Sequence, residues 1–403
     1  MLVYHLLLLI FVVGRAAASN PYDFKPRHKL PGQARKGSRK IKTSDIPMMI
    51  TFTHDDNTDS RSAKYVQDIT ERFTNPNGCK IPAVMFTTQR FSDCATVQKL
   101  YYEKGYEIGG HSVTHRKTNQ LSSSEKKKEV TQVRNWLVNE CKIPASDVNG
   151  WRNPYLLGDA EIRKYLADAG YLYDSSMPEF WNSKSSPSGS RKILPYNMKY
   201  GIAQMQSCSW FGPNLNRCTK SERPDLVQIP MYMYQRGPSK PAVKGLMDPP
   251  GAYKVLKREF ERNYRSSNRL PVTIYTHSTS TNYLNQAKNR SEIKKFLSWA
   301  MKKKNVWVVT YRYVTPTDVR SHALTLSLAL RASLVRQAIL GLYEQPGAGQ
   351  PDGSLHGQVQ VRAVSARLVA STILLFYYST TVMTRLCSCC CYINKSRHLL
   401  SPG

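Results

Sequence analysis

Two adjacent carboxylates, Asp55 and Asp56, lie in the segment Thr53-His54-Asp55-Asp56. Neighbouring side chains on an extended chain diverge, so one carboxylate can bind a metal while the other faces a water. A polar turn through Asp55-Asp56-Asn57 is the plainer alternative. His111 and His115 stand four apart in His111-Ser112-Val113-Thr114-His115. That spacing would place two imidazoles on one face of a helical turn, where they suit zinc or a similar ion. Joined by Asp56, they would form a two-histidine, one-carboxylate site with open positions, the pattern of a catalytic rather than a closed structural metal. Arg152, in Arg152-Asn153-Pro154-Tyr155, would hold a nearby carboxylate ionised and oriented. Asp174 opens Asp174-Ser175-Ser176. His277 ends an apolar run, and a carboxylate partner would raise its pKa and suit it to act as an acid.

Elements of regular length must carry these groups. Residues 47–52, 83–87, 106–109, 171–173, 271–277 and 306–310 read as strands. Residues 63–73, 95–104, 124–139, 160–169 and 291–303 read as helices, with Gly105 and Gly170 closing two of them. Strands alternating with helices at this spacing predict a parallel sheet, open or closed into a barrel. In a (β/α) barrel the catalytic side chains belong at the C-terminal ends of the strands. The Asp pair follows residues 47–52, the histidine motif follows Gly110, and His277 ends its strand. Residues 237–269 read as an extended basic stretch.

The order of these motifs closely resembles the polysaccharide deacetylases, and among them the animal chitin deacetylase-like proteins. Shared segments include Asn75-Pro76-Asn77-Gly78-Cys79, the Val97–Tyr101 run before the histidine motif, Tyr173–Pro178 and the Val306–Thr310 run. The resemblance covers residues 45–315. It implies an α/β fold, a distorted (β/α) barrel flanked by irregular N- and C-terminal extensions. It implies that Asp55 is the catalytic base, that Asp56, His111 and His115 hold a divalent metal, most often Zn2+ with Co2+ or another divalent ion as alternatives, and that Arg152 orients the base. It further implies that the backbone N–H of Tyr155 donates to the oxyanion, that His277 is the general acid, and that Asp174 is the carboxylate tuning that histidine. Trp181 is a candidate for the sugar-binding groove. The implied reaction removes N-acetyl groups from chitin or a related N-acetylglucosamine polysaccharide. The family usually carries Phe where His54 stands, and the basic composition of residues 237–269 departs from more acidic relatives. A weakly catalytic or inactive chitin-binding matrix protein is the alternative reading.

The flanks differ from this body. Residues 4–13 are apolar and are followed by Ala16, Ala17, Ala18 and Ser19, which predicts a secretory signal peptide over residues 1–18. Residues 19–44 form a basic arm. Residues 316–403 form an unassigned tail, whose apolar stretch 368–383 lies beside Cys387, Cys389, Cys390 and Cys391. That pattern suits a lipidated anchor or an appended, poorly folded extension. The chain has 403 residues and a net charge of +30. The first 44 residues carry +8, the tail +5, and the remaining +17 is spread over both signs across residues 45–315. Charge of that distribution argues for a solvated surface and against a nucleic-acid partner. A secreted, monomeric protein of an extracellular matrix or cuticle-like compartment is expected. In that compartment the body cysteines should pair, and Cys208 with Cys218, flanking one loop, is the expected disulfide. Asn289-Arg290-Ser291 and Asn394-Lys395-Ser396 are glycosylation sequons.

Overall fold

A computed structural model describes residues 46–314 except 180–192, 205, 211–216, 235–246, 267–268 and 279–282, together with Lys25 and Ser44. The expected signal peptide, nearly all of the basic arm, Trp181, the tail with its apolar stretch and cysteines, and the second sequon lie outside the described residues.

The first strand, β1 (Met48–Asp56), pairs with three other strands and lies one in from an edge of the sheet. It alternates β-branched and aromatic residues, and all but one of its positions are buried. Burial on both faces is what a parallel sheet covered by helices requires. The strands β2 (Val84–Thr87), β3 (Glu107–Gly110), β4 (Gly150–Trp151) and β5 (Tyr173–Asp174) follow it side by side, all parallel. Beyond β5 come β8 (Val227–Gln228) and then β7 (Tyr196–Asn197), the latter antiparallel. On the other edge of β1 lies β10 (Val272–Thr276), again parallel. Ile50 pairs with both Val272 and Val308, so β11 (Val306–Val308) shares the β2 side of β1 at its opposite end. A separate parallel pair, β6 (Pro178–Glu179) with β9 (Met231–Tyr232), approaches β10 through side chains: the Tyr275 hydroxyl accepts from the Tyr232 N–H at 3.1 Å, and the Tyr234 hydroxyl donates to the Thr273 carbonyl at 2.6 Å. The fold is therefore an α/β, distorted (β/α) barrel, as expected.

Helices α1 (Ser60–Thr70), α2 (Cys94–Gln98), α3 (Ser123–Asn135), α4 (Ala160–Asp168), α5 (Ala252–Arg265) and α6 (Ala287–Ala300) connect the strands. Their starts are written in the sequence. Asp59, Asp93, Ser122 and Asp159 each accept a backbone N–H three residues on, and Ser62 and Glu125 complete reciprocal capping boxes. Helices α2 and α3 both run on into a wider π turn, Lys99–Glu103 and Trp136–Glu140. Disulfides join Cys94 to Cys141 and Cys208 to Cys218; the second is the expected pair. No helix among the described residues is long and apolar enough to cross a membrane.

Two expectations need correction. The strand read as ending at Phe52 continues through Asp56, so the Asp pair is the end of the strand itself. The basic stretch over residues 237–269 contains α5, whose Ala252, Val255, Leu256 and Phe260 recur at helical period and face the core. The sequon at Asn289 sits in the first turn of α6, with its side-chain amide donating to the Tyr283 carbonyl at 3.0 Å.

Candidate active site

Parallel pairing aligns the strand ends that carry the candidate residues. Asp56 lies opposite Thr87 of β2, Thr87 opposite Gly110 of β3, and Gly110 opposite Trp151 of β4. His111 and Arg152 are the next residues of their strands. On the other side His54 lies opposite Thr276, so the register carried one residue further sets His277 beside Asp55. The close approach needs glycine at position 110: a Cβ there would lie 2.5 Å from the Tyr171 hydroxyl.

Asp56, His111 and His115 converge, with their ligand atoms all within 4.8 Å of one another. His111 Nε2 lies 3.3 Å and His115 Nε2 2.9 Å from Asp56 Oδ1. His111 Nδ1 sits 2.6 Å from the Arg152 carbonyl, an acceptor, so the ring proton belongs on Nδ1. Nε2 then presents a lone pair to a carboxylate oxygen. Two electron-rich atoms facing each other in a buried place need a cation between them, and this donor set suits a divalent metal. The histidines do not share a helical face as the spacing suggested. Ser112 has φ 77° and His115 φ 60°, so the segment is a tight turn, and that turn brings the two rings within 5.1 Å.

Arg152 is fully buried. Its Nη1 donates to Asp55 Oδ1 at 2.7 Å and to Thr53 Oγ1 at 2.9 Å. Its Nε donates to the Ser175 carbonyl, and its Nη2 to Ser175 Oγ and the Tyr311 hydroxyl. The guanidinium also lies 4.2 Å from the Phe86 ring centroid and 5.2 Å from that of Tyr275. Burial works against its charge, and the Asp55 carboxylate more than offsets it. Asp55 is itself 1% exposed, so Arg152 supplies the countercharge that a buried carboxylate requires.

Asp174 does not meet His277. Its Oδ1 accepts from Ser176 Oγ, and burial pushes its carboxyl up to about 6. The partner of His277 is Asp248, which sequence reasoning missed. Asp248 Oδ2 lies 2.8 Å from His277 Nδ1, and Oδ1 accepts the His277 backbone N–H at 2.9 Å. The Asp248 N–H in turn donates to the Tyr275 carbonyl at 2.9 Å, which fixes it across the end of β10. Burial would lower His277, but this carboxylate, with Asp55 and Asp56 further off, pushes it up to about 9. Asp248 lies 29 residues before its partner in a loop, and only its acidity beside Pro249-Pro250 was there to see.

His54 is buried on the opposite side of β1 from Asp55, with Nε2 2.6 Å from Ser278 Oγ. Burial brings it down to about 4, so its ring is neutral. Tyr155 has φ 55° in the turn Pro154–Leu156, and its ring, 52% exposed, stands 4.8 Å from that of His115.

A model of the polysaccharide deacetylase family matches residues 42–173, which contain Asp55, Asp56, His111, His115, Arg152 and Tyr155. Chitin deacetylase 1 of Bombyx mori is 26% identical over 273 residues, covering 63% of this chain and 47% of that protein. Chitin deacetylase 8 of Bombyx mori is 23% identical over 250 residues, covering 59% and 62%. The chain thus spans about half to three fifths of these relatives. A crystal structure from Mycobacterium smegmatis, assigned as a polysaccharide deacetylase, aligns over 71% of this chain and 95% of its own at 15% identity, with a TM-score of 0.46.

Proposed function

Because the chain carries a polysaccharide deacetylase domain, we propose that it is a secreted, metal-dependent hydrolase that removes N-acetyl groups from chitin, releasing acetate and leaving free amines. The observation that carries this reading is the strand-end cluster, where Asp56, His111 and His115 converge beside an Asp55 held by Arg152. The catalytic domain in this reading is residues 45–315, which the pairing of β10 and β11, beyond the matched segment, with β1 supports. The predicted signal peptide and two disulfides support secretion.

Asp56, His111 and His115 would hold the metal, most often Zn2+, which when bound supplies Lewis acidity toward a water and the amide carbonyl. Asp55, aimed by Arg152, removes a proton from the attacking water as its oxygen bonds to the carbonyl carbon. The backbone N–H of Tyr155 donates to the oxygen on which negative charge develops. The C–N bond then breaks. An amine leaves poorly as an anion, so His277, charged through Asp248, delivers a proton to the nitrogen. Asp174 has no contact with His277 and serves instead as a buried acceptor for Ser176.

Purified protein loaded with Zn2+ or Co2+ should release acetate from N-acetylglucosamine oligomers, and Asp55→Asn should abolish that release while leaving chitin binding intact. Wild type that binds chitin yet releases no acetate would establish the matrix-protein reading instead. Asp55→Asn at wild-type rate would remove Asp55 as the base.

A further inference from the structure

The turn that carries both histidines is held from outside the cluster by one carboxylate. Glu129, on α3, is 7% exposed. Its Oε2 accepts the backbone N–H of Val113 at 2.7 Å and of Thr114 at 2.9 Å, and its Oε1 accepts the Thr114 hydroxyl at 2.5 Å. We infer that Glu129 is a positioning residue for the metal site, which sets the affinity for the ion by locking the His111–His115 turn. This rests on the metal-dependent reading above.

The turn needs such a hold. Two non-glycine residues in it, Ser112 and His115, sit at positive φ, a region that L side chains adopt unwillingly. His115 owes its direction to that backbone and to the bond its N–H makes with Ser112 Oγ at 3.0 Å. On one side the turn leans on the loop after β2, whose Gln89 and Arg90 N–H groups donate to the Ser112 and Val113 carbonyls at 3.1 and 3.0 Å. Those bonds satisfy carbonyls. The N–H groups of Val113 and Thr114 go to Glu129. The reach of Glu129 is determined in turn by the capping box of Ser122 and Glu125, which starts α3 one turn earlier. Glu125 also pairs with Arg116 at 2.9 Å, directly after His115. Helix α3 therefore holds the turn at Val113, Thr114 and Arg116, while His111 is held at its own Nδ1 by the Arg152 carbonyl. A group that orients ligands without touching the metal typically changes affinity by about 10- to 100-fold when removed.

The test titrates metal-free protein with Zn2+ against a chromophoric chelator, in wild type, Glu129→Ala, Glu129→Gln and Thr114→Val. Glu129→Ala should weaken Zn2+ binding by about 10- to 100-fold. Glu129→Gln should stay within about threefold of wild type, because its carbonyl oxygen accepts both backbone N–H groups and its amide can donate to Thr114 Oγ1. Thr114→Val, which removes only the hydroxyl bond, should fall between them, and it decides the matter if Glu129→Ala does not fold. Wild-type affinity in the variants that lose these bonds would overturn the inference. So would equal weakening in Glu129→Gln, because charge rather than loop geometry would then set the affinity. Zinc affinity is read without turnover, so failure to release acetate sinks the proposed reaction and leaves this inference to its own measurement.

Discussion

Asp248→Asn tests whether His277 is the acid. Asp248 Oδ2 lies 2.8 Å from His277 Nδ1 in a place where both side chains keep less than a third of their surface in water. The histidine is pushed from 6.5 to about 9, and Asp248 is the largest of the groups that raise it. At 1.36 kcal/mol per unit that shift corresponds to roughly 3 kcal/mol, an upper bound because water screens part of the pair. The folded value lies above the unfolded one. The pair therefore contributes its full stability below about 6.5, and this is lost as pH rises through about 9. Asparagine keeps an oxygen for the His277 backbone N–H but removes the charge. With the charge gone, burial lowers the imidazole against only the more distant Asp55 and Asp56, so its pKa falls below the wild-type value.

Catalysis should follow the protonated fraction of His277. At pH 7 that fraction falls in the variant, so kcat/KM should drop there from protonation alone. The basic limb of the pH profile carries more information. In the wild type it should lie below about 9, since a cation on Asp56 neutralises one of the carboxylates that raise His277. In Asp248→Asn it should move at least one unit further toward acid, with the acid limb unmoved. The assay is acetate release from a soluble N-acetylglucosamine oligomer between pH 5 and 10. A uniform loss of rate with both limbs in place would refute the assignment, because it would mean that Asp248 only holds the backbone.

Two further predictions concern stability. Burial pushes Asp174 from 3.8 to about 6, so its ionisation opposes folding: nothing is lost below pH 3.8, and a penalty of roughly 3 kcal/mol is complete above about 6. Asp174→Asn, which still accepts from Ser176, should flatten the decline in melting temperature between about pH 4 and 6, and an unchanged decline would contradict the reasoning. The Cys94–Cys141 disulfide closes a span of 47 residues and ties α2 to the turn after α3. Replacing both cysteines by alanine should lower the free energy of urea unfolding by about 4 kcal/mol on loop entropy, and a change under about 1 kcal/mol would show that the unfolded chain gains little freedom.

Much of the barrel was legible because its chemistry is local. Strand β1 shows itself by alternating Ile50, Thr51, Phe52 and Thr53, and the helix starts by Asp59, Ser122 and Asp159 three residues before their partners. Local propensity also explains the errors. His54, Asp55 and Asp56 are poor strand formers, and they remain in β1 because pairing with β2 and β10 satisfies their backbone. The strands β4 to β9 are two residues long, too short for a period to register. Asp174 and Asp248 are equally acidic on paper; what separates them is that a chain reversal at Asp248, φ 54°, points one at His277 while the other is enclosed with Ser176. Glu129 lay hidden in a charged run, Lys126-Lys127-Lys128-Glu129. Yet it immediately precedes Val130, on the face that Val133 and Leu137 bury, and a carboxylate on a buried face is a signal that a backbone donor waits there.

The base and the metal ligands are not separable modules, and Arg152 is the reason. Its side chain gives Asp55 a countercharge, and its carbonyl accepts from His111 Nδ1. The position of one residue thereby sets both the direction of the carboxylate that takes a proton and the tautomer of the imidazole that offers a lone pair. Thr53 and Ser175 hold the guanidinium from either side, and the Phe86, Tyr275 and Tyr311 rings exclude water around it. A lysine could match the charge but not the fork, and it would leave donors and acceptors of β1, β5 and β11's following turn unserved in a dry place. The alignment of four strand ends, and not the strength of any single contact, is what makes the arrangement specific. Each donor reaches its acceptor only if β1, β3, β4 and β5 keep their register, so the chemistry of the cluster reports on the fold that carries it.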